Sequence, residues 1–129
     1  VLRNIIETEP AFADPYVNLG LILSKLSRNE EAEELLKTAT ELDPKNASAW
    51  FNLGITQGRL KYHEKSERSL RVSLDLDPMN SVAWYNLGVV LYFLGKQLEA
   101  KDAFRKAAEL DSNLYKAIEM FYSKHGPHS

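Results

Sequence analysis

The sequence predicts an all-α protein built from repeated helical hairpins. The tripeptide Asn-Leu-Gly recurs every 34 residues, and so does a proline. Helix breakers are scarce, with 6 glycines and 5 prolines in 129 residues. No segment alternates apolar and polar residues with a period of two, as a half-buried strand would. The tripeptides begin at Asn18, Asn52 and Asn86, and the prolines are Pro10, Pro44 and Pro78.

Length and charge exclude several classes of protein. A chain of 129 residues has room for one domain or one short repeat array. Its 16 basic and 18 acidic residues give a net charge of −2, so nothing draws it to nucleic acid or to an anionic membrane surface. No apolar run approaches the roughly 18 residues that cross a bilayer. We therefore expect no nucleic-acid partner, no membrane insertion and, by default, a cytoplasmic location.

The absence of cysteine excludes disulfides and a thiol nucleophile. The chain starts at Val1 without a signal-peptide pattern, which favours a mature terminus or a fragment of a longer protein.

The third repeat shows the hairpin pattern clearly. Trp84, Leu87 and Leu91 lie on one helical face, and Ala100, Phe104 and Ala107 lie on a second. The spacing predicts helices over 81–94 and 97–110, with the Asn80 side chain as an N-cap and Gly95-Lys96 as the turn between them. The same reasoning predicts helices over 13–26, 29–42, 47–60 and 63–76.

These features resemble the tetratricopeptide repeat (TPR) family, whose 34-residue unit has set positions for an aromatic, Leu-Gly and a small–large–small triplet. The aromatic positions hold Tyr16, Trp50 and Trp84. The triplets are Ala32, Leu36, Ala39; Ser66, Leu70, Ser73; and Ala100, Phe104, Ala107. Two residues depart from the pattern: Gln57 replaces a leucine, and Ser112 replaces the closing proline. Because of Gln57, we expect the second unit to be the least tightly packed.

The resemblance implies a right-handed superhelix of stacked hairpins. We divide the chain into a truncated preceding unit at 1–12, TPR units at 13–46, 47–80 and 81–112, a capping helix at 113–125 and a frayed tail at 126–129. Asn113 is the expected cap of the last helix. Glycine costs up to about 1 kcal/mol in a helix, so Gly20, Gly54 and Gly88 predict that the two helices of each unit approach closely.

The first helices of the units are expected to line a concave face. Asn18, Asn52 and Asn86 would form a ladder on it, and an amide side chain can both donate to and accept from a peptide backbone. A similar ladder binds peptide backbone in the TPR superhelix of O-linked N-acetylglucosamine transferases. Alternatively, these asparagines only face solvent.

Apolar residues would lie between the asparagines, where a stable helix has no structural need for them. They are Val17, Leu21, Phe51, Ile55, Val82, Tyr85 and Val89, with Tyr92 and Phe93 as further candidates. Such a patch is typical of a contact surface. Alternatively, some of these side chains turn into the core or are covered by a neighbouring chain.

One well-known TPR ligand, the acidic C-terminus of heat-shock chaperones, is not expected to bind. The family's carboxylate clamp needs Lys, Asn, Asn, Lys and Arg. The corresponding residues are Val17, Leu21, Asn52, Val82 and Asn86, of which only Asn52 fits.

Candidates for chemistry are weak. His63 is expected to be solvated, and His125 and His128 have no further metal ligand near them in sequence. Arg59, Lys61, Arg68 and Arg71 make a basic patch that is too modest for nucleic acid. We therefore expect no enzyme activity, no cofactor and no metal.

The sequence favours a protein-interaction module or scaffold that binds a peptide or partner segment in the concave groove. Two alternatives stay open. One is a substrate-recruiting array of a larger enzyme, such as a glycosyltransferase. The other is a homo-oligomerisation module.

Overall fold

The computed structural model describes residues 14–126, which form seven helices and no strand. The predicted half unit at 1–12 and the residues after Gly126 lie outside this range. Each helix begins and ends within one residue of its predicted position. The helices are α1 (Asp14–Lys25), α2 (Asn29–Leu42), α3 (Ala47–Arg59), α4 (His63–Leu76), α5 (Ser81–Phe93), α6 (Gln97–Leu110) and α7 (Leu114–His125).

Side-chain caps set where the inner helices of the second and third units begin. Asn80 Oδ1 accepts from the Ala83 backbone N–H at 3.0 Å, as predicted. Asn46 does the same for Ala49, also at 3.0 Å. The predicted cap at Asn113 is wrong: its backbone is already helical, and its side chain makes no capping bond. Instead, its backbone N–H donates to Asp111 Oδ1 at 3.0 Å, which closes the preceding turn.

The turn inside each hairpin requires one residue in the left-handed region. That residue is Ser27 (φ 62°), Lys61 (φ 67°) and Gly95 (φ 80°) in the three units. The next residue then donates its N–H back to the last helical turn; for example, the Lys96 N–H lies 2.9 Å from the Leu91 oxygen. This pattern is the Schellman helix end. Only the third unit has the glycine that this backbone favours.

The three Leu-Gly glycines lie where the two helices of a unit touch. A Cβ on Gly20 would lie 2.8 Å from Leu36 Cγ, and one on Gly54 would lie 2.7 Å from Leu70 Cγ. On Gly88 it would lie 2.6 Å from Phe104 Cδ1. The predicted close approach is therefore present in all three units, and at this point the second unit is as tight as the others.

The second unit differs from the others in the polarity of its core. Ser66 and Ser73 are fully buried where the other units have alanine. Ser66 Oγ donates to the Gly54 carbonyl at 2.7 Å, and Ser73 Oγ donates to the Ala47 carbonyl at 2.9 Å. Each hydroxyl therefore ties α4 to the backbone of α3, so neither is buried without a partner.

In the second and third units, the aromatic position ties the inner helix to the loop before it. Trp50 Nε1 donates to the Pro44 carbonyl at 2.8 Å, and Trp84 Nε1 donates to the Pro78 carbonyl at 2.9 Å. The rings then rest against the outer helices; Lys106 Nζ lies 4.5 Å from the centre of the Trp84 ring.

The last helix closes the hydrophobic core with aromatic side chains. Phe121 is buried and lies 5.5 Å, ring centre to ring centre, from Phe104. Tyr92 contacts the Phe121 ring edge-on at 5.1 Å, and its hydroxyl donates to the His125 carbonyl. Over the described residues, no helix has both the length and the apolar character to cross a membrane.

Candidate functional site: the inner groove

The inner face of the array is formed by the first helix of each unit. Helix α1 contacts α3 directly, and α3 contacts α5. The second helices α2, α4 and α6 pack against the outside of these three. This arrangement places one face of α1, α3 and α5 side by side, as expected from the sequence.

A cavity of about 350 Å³ lies between these three helices. Six of the ten predicted site residues line it: Leu21, Phe51, Asn52, Ile55, Val82 and Asn86. Its other lining residues are Ser24, Lys25, Thr56 and Arg59. The apolar residues come from all three helices, so the cavity does not belong to any single unit.

A second cavity of about 250 Å³ continues from the first toward the hairpin turn of the second unit. Ile55, Arg59 and Asn86 line both cavities. Val89, Phe93, Lys61 and His63 line only the second. We refer to the two cavities together as the inner groove.

The asparagine ladder is partly engaged with its own helices. Asn52 Nδ2 donates to the Ser48 carbonyl at 2.9 Å, and Asn86 Nδ2 donates to the Val82 carbonyl at 2.8 Å. Each of these bonds fixes the orientation of the amide and uses one N–H. Asn52 Nδ2 also donates to Ser48 Oγ at 3.3 Å. Both amide oxygens remain able to accept from a ligand, and Asn86 keeps one N–H that can donate to it. Asn18 is exposed and lies outside the lining of both cavities.

Two of the predicted apolar residues lie elsewhere. Val17 is only 5% exposed and belongs to the core with Leu35 and Leu36. The alternative that some of these side chains turn inward therefore holds for Val17. Tyr85 is half-buried, with its ring 5.7 Å from Phe104, and burial raises the pKa of its hydroxyl.

His63 is not the solvated residue that the sequence predicted. It is half-buried, and its ring stacks on Phe93 at 5.4 Å. Its Nδ1 atom is buried, with no hydrogen-bond partner among the described residues. Phe93 remains 44% exposed, and the His125 ring lies against it at 5.4 Å. His63 therefore belongs to the wall of the inner groove.

The sequence placed Lys25 and Arg59 on the concave face but did not mark them as binding residues. Lys25 and Arg59 occupy the same position in the first and second units, where the third unit has Phe93. Arg59 also belonged to the basic patch that the sequence predicted. That patch divides in the structure: Arg71 pairs with Glu67 and Glu99 on the outer helices, whereas Arg59 turns to the groove. Because this position is charged in two units and aromatic in the third, only the packing shows that it lines the groove.

Metal binding has no support in the part of the chain that the structure describes. Within residues 14–126, no three histidine or acidic residues cluster closely enough to hold an ion.

Three family models match the chain and together span residues 22–114. A TPR repeat model matches 22–61, and two tetratricopeptide repeat models match 47–80 and 81–114. The chain belongs to the tetratricopeptide repeat family. It is an all-α TPR solenoid, as its sequence pattern predicted. The comparison with curated proteins found no match.

Solved TPR structures resemble this TPR protein over most of its length. YrrB, described as a TPR protein with an unusual peptide-binding site, is 26% identical with a TM-score of 0.77. The match covers 88% of this chain and 58% of YrrB, so the chain spans little more than half of that protein. The second TPR of Spaghetti (RPAP3), bound to the HSP90 peptide SRMEEVD, is 26% identical with a TM-score of 0.75, over 77% of this chain and 92% of that one.

MamA has a TM-score of 0.82 over 97% of this chain and 75% of its own, but at 22% identity it shows only the shared fold. Membership of the TPR family supports a protein-interaction module.

Proposed function

We propose that the inner groove binds an extended peptide segment of another protein and that the array performs no chemistry of its own. The observation that supports this most directly is the cavity between α1, α3 and α5. Leu21, Phe51, Ile55 and Val82 line it, and Asn52 and Asn86 stand among them. Apolar lining with a few convergent polar groups is typical of a ligand site.

The amide groups have the geometry for backbone recognition. Because the helical carbonyls already orient Asn52 and Asn86, little side-chain entropy is lost when a ligand binds. Packed helices lie about 8–10 Å apart. An extended chain rises about 3.3 Å per residue, so one asparagine meets about every third residue of the peptide. Asn18 extends the ladder at its exposed end.

A peptide selection tests this proposal. A display library of random peptides is selected on the wild-type protein, and affinities are measured by fluorescence anisotropy. The triple variant Asn18→Ala, Asn52→Ala, Asn86→Ala should bind the selected peptides about 10- to 100-fold more weakly, because each lost hydrogen bond contributes about 1 kcal/mol. Asn113→Ala is the control, since that exposed amide lies immediately before α7 and does not line the groove.

Apolar contacts are tested in the same assay. Phe51→Glu and Val89→Glu should each abolish detectable binding, whereas Leu98→Glu should not. Leu98 is 82% exposed and does not line the groove. Equal binding by wild type and by the folded triple variant would reject the groove as the site. If the molar mass in solution rises with concentration for the wild type but not for Phe51→Glu, the surface would be assigned to self-association instead.

A further inference from the structure

The inner groove is positively charged in a chain that is negatively charged overall. Lys25, Arg59 and Lys61 line it together with His63. Among the described residues, no aspartate or glutamate lines either cavity. The charge of the groove lining is therefore opposite in sign to the net charge of the whole chain, which is −2. Such a local charge attracts ligands of the opposite charge.

Arg59 occupies the junction of the two cavities and is held in place there. Its Nη1 donates to Ser24 Oγ on α1, so the side chain bridges the first and second units. Ser24 is itself buried, and its hydroxyl donates to Asn29 Oδ1 at 3.2 Å. A guanidinium has five N–H donors in a planar fork, so a face suited to a carboxylate remains after this bond.

No carboxylate among the described residues pairs with the groove cations. Within residues 14–126, none of Lys25, Arg59 and Lys61 forms an ion pair. By contrast, Arg71 on the outer surface is paired with both Glu67 and Glu99. An anionic ligand in the groove would therefore have no internal carboxylate to displace.

The lining also changes character along the groove. The position that holds Lys25 and Arg59 in the first two units holds Phe93 in the third. Phe93 lines the second cavity with Ile55 and Val89. A ligand that matches this order carries negative charge at the first two units and an apolar side chain at the third.

We propose that the groove selects acidic peptides, in which an aspartate or glutamate side chain pairs with Arg59 between Lys25 and Lys61. An apolar residue of the same peptide then contacts Ile55, Val89 and Phe93. The carboxylate belongs to a residue inside the segment rather than to a chain terminus, because the groove continues on both sides of Arg59. This inference rests on the proposed function and specifies the class of its ligand.

The same peptide selection tests the inference, with Arg59→Gln and Arg59→Glu as added baits. Wild-type selections should be enriched in aspartate or glutamate at a fixed distance from an apolar residue. Arg59→Gln should bind the selected peptides about tenfold more weakly, as expected for the loss of a charged hydrogen bond. Arg59→Glu should select lysine or arginine at that position. Lys116→Glu, the same charge reversal on α7 outside the groove, should select the wild-type peptides.

A double-mutant cycle makes the test specific to the pair. One selected peptide is compared with its version in which the acidic residue is replaced by its amide. The replacement should lower the affinity for the wild-type protein about tenfold and leave the affinity for Arg59→Gln almost unchanged. The reason is that the effects of changing two interacting groups do not add.

Several outcomes would overturn the inference. Selected peptides that bind through the asparagines but show no acidic enrichment would reject the acidic preference. An equal loss of affinity for both proteins on amide replacement would reject it too. In either case the groove function stands. If no peptide depends on the asparagines or on Phe51, the groove function fails as well. Binding of an RNA oligonucleotide or of a second copy of the chain, lost in Arg59→Gln, would assign the cations to that partner instead.

Discussion

Gln57 donates a 3.1 Å hydrogen bond from Nε2 to a carboxylate oxygen of Glu33, across the boundary between the first and second units. Both residues are buried. Ser69 Oγ completes the arrangement by donating to Gln57 Oε1 at 2.7 Å. One amide thus joins α2, α3 and α4 at the position where the third unit has Leu91. A departure from the family pattern has become a buried polar link between units.

Replacing Gln57 with leucine should therefore destabilise the protein, although leucine is the residue of the neighbouring units. Gln57→Leu leaves the Glu33 carboxylate and the Ser69 hydroxyl buried without their partner. The cost of leaving such groups unpaired is about 1–3 kcal/mol, measurable as a lower free energy of unfolding in urea.

The double variant Gln57→Leu, Ser69→Ala is the control, since it reproduces the pair Leu91 and Ala103 of the third unit. It should recover part of the loss by removing one unpaired hydroxyl. A single Gln57→Leu variant as stable as wild type would mean that water satisfies Glu33 equally well.

Replacing two glycines of α3 with alanine should change the stability of the protein in opposite directions. Gly54→Ala places a Cβ 2.7 Å from Leu70 Cγ, so the two helices must separate. We expect a loss of about 1–3 kcal/mol from this overpacking. At Gly58 the nearest atom is Ser66 Oγ at 3.5 Å, an ordinary contact. Gly58→Ala should therefore gain up to about 1 kcal/mol from helix propensity. Thermal melts of the two variants give the comparison, and the same sign for both would contradict the packing argument.

Substitutions at two of the left-handed turn residues should also change stability in opposite directions. Ser27 adopts φ 62° with a side chain, whereas Gly95 adopts φ 80° without one. Ser27→Gly should raise the free energy of unfolding, and Gly95→Ala should lower it, each by about 1 kcal/mol. No atom lies within 4 Å of a Cβ at Gly95, so any loss there comes from the backbone alone. Urea titration of both variants checks the prediction, and a stable Gly95→Ala would refute it.

Acid should remove the contribution of Glu67 to stability. Partial burial favours the neutral form, but hydrogen bonds from Arg71 and Lys96 outweigh it and lower the pKa of the carboxyl below its ordinary 4.5. A carboxyl with a lowered folded-state pKa stabilises the fold above the unfolded pKa. The stabilisation is lost as the pH falls through the folded value.

At pH 7, Glu67→Gln should cost about 1 kcal/mol, since Arg71 and Lys96 are themselves largely exposed. The difference between variant and wild type should shrink as the pH falls below the lowered pKa of Glu67. Unfolding curves over a descending pH series provide the measurement. Asp75→Asn serves as the control, because that exposed carboxylate forms no ion pair among the described residues. A difference that does not change with pH would contradict the assignment.

The sequence alone determined the repeat and therefore the hairpins. The repeat has a period of 34 residues, with glycines in register and alternating small and large residues. Two closely packed helices explain all three features. For this reason the helix ends, the role of Gly88 and the inner position of Asn52, Phe51 and Ile55 were all predictable.

Only the tertiary structure decided which side chains share one surface. Val17 lies in the core and the His63 ring stacks on Phe93, although the repeat pattern predicted exposed positions for both residues. Arg59 came to join the two cavities because its guanidinium reaches Ser24 of the preceding unit. A repeating pattern specifies contacts within and between identical units. The residues that differ between units acquire their roles only when the units are stacked.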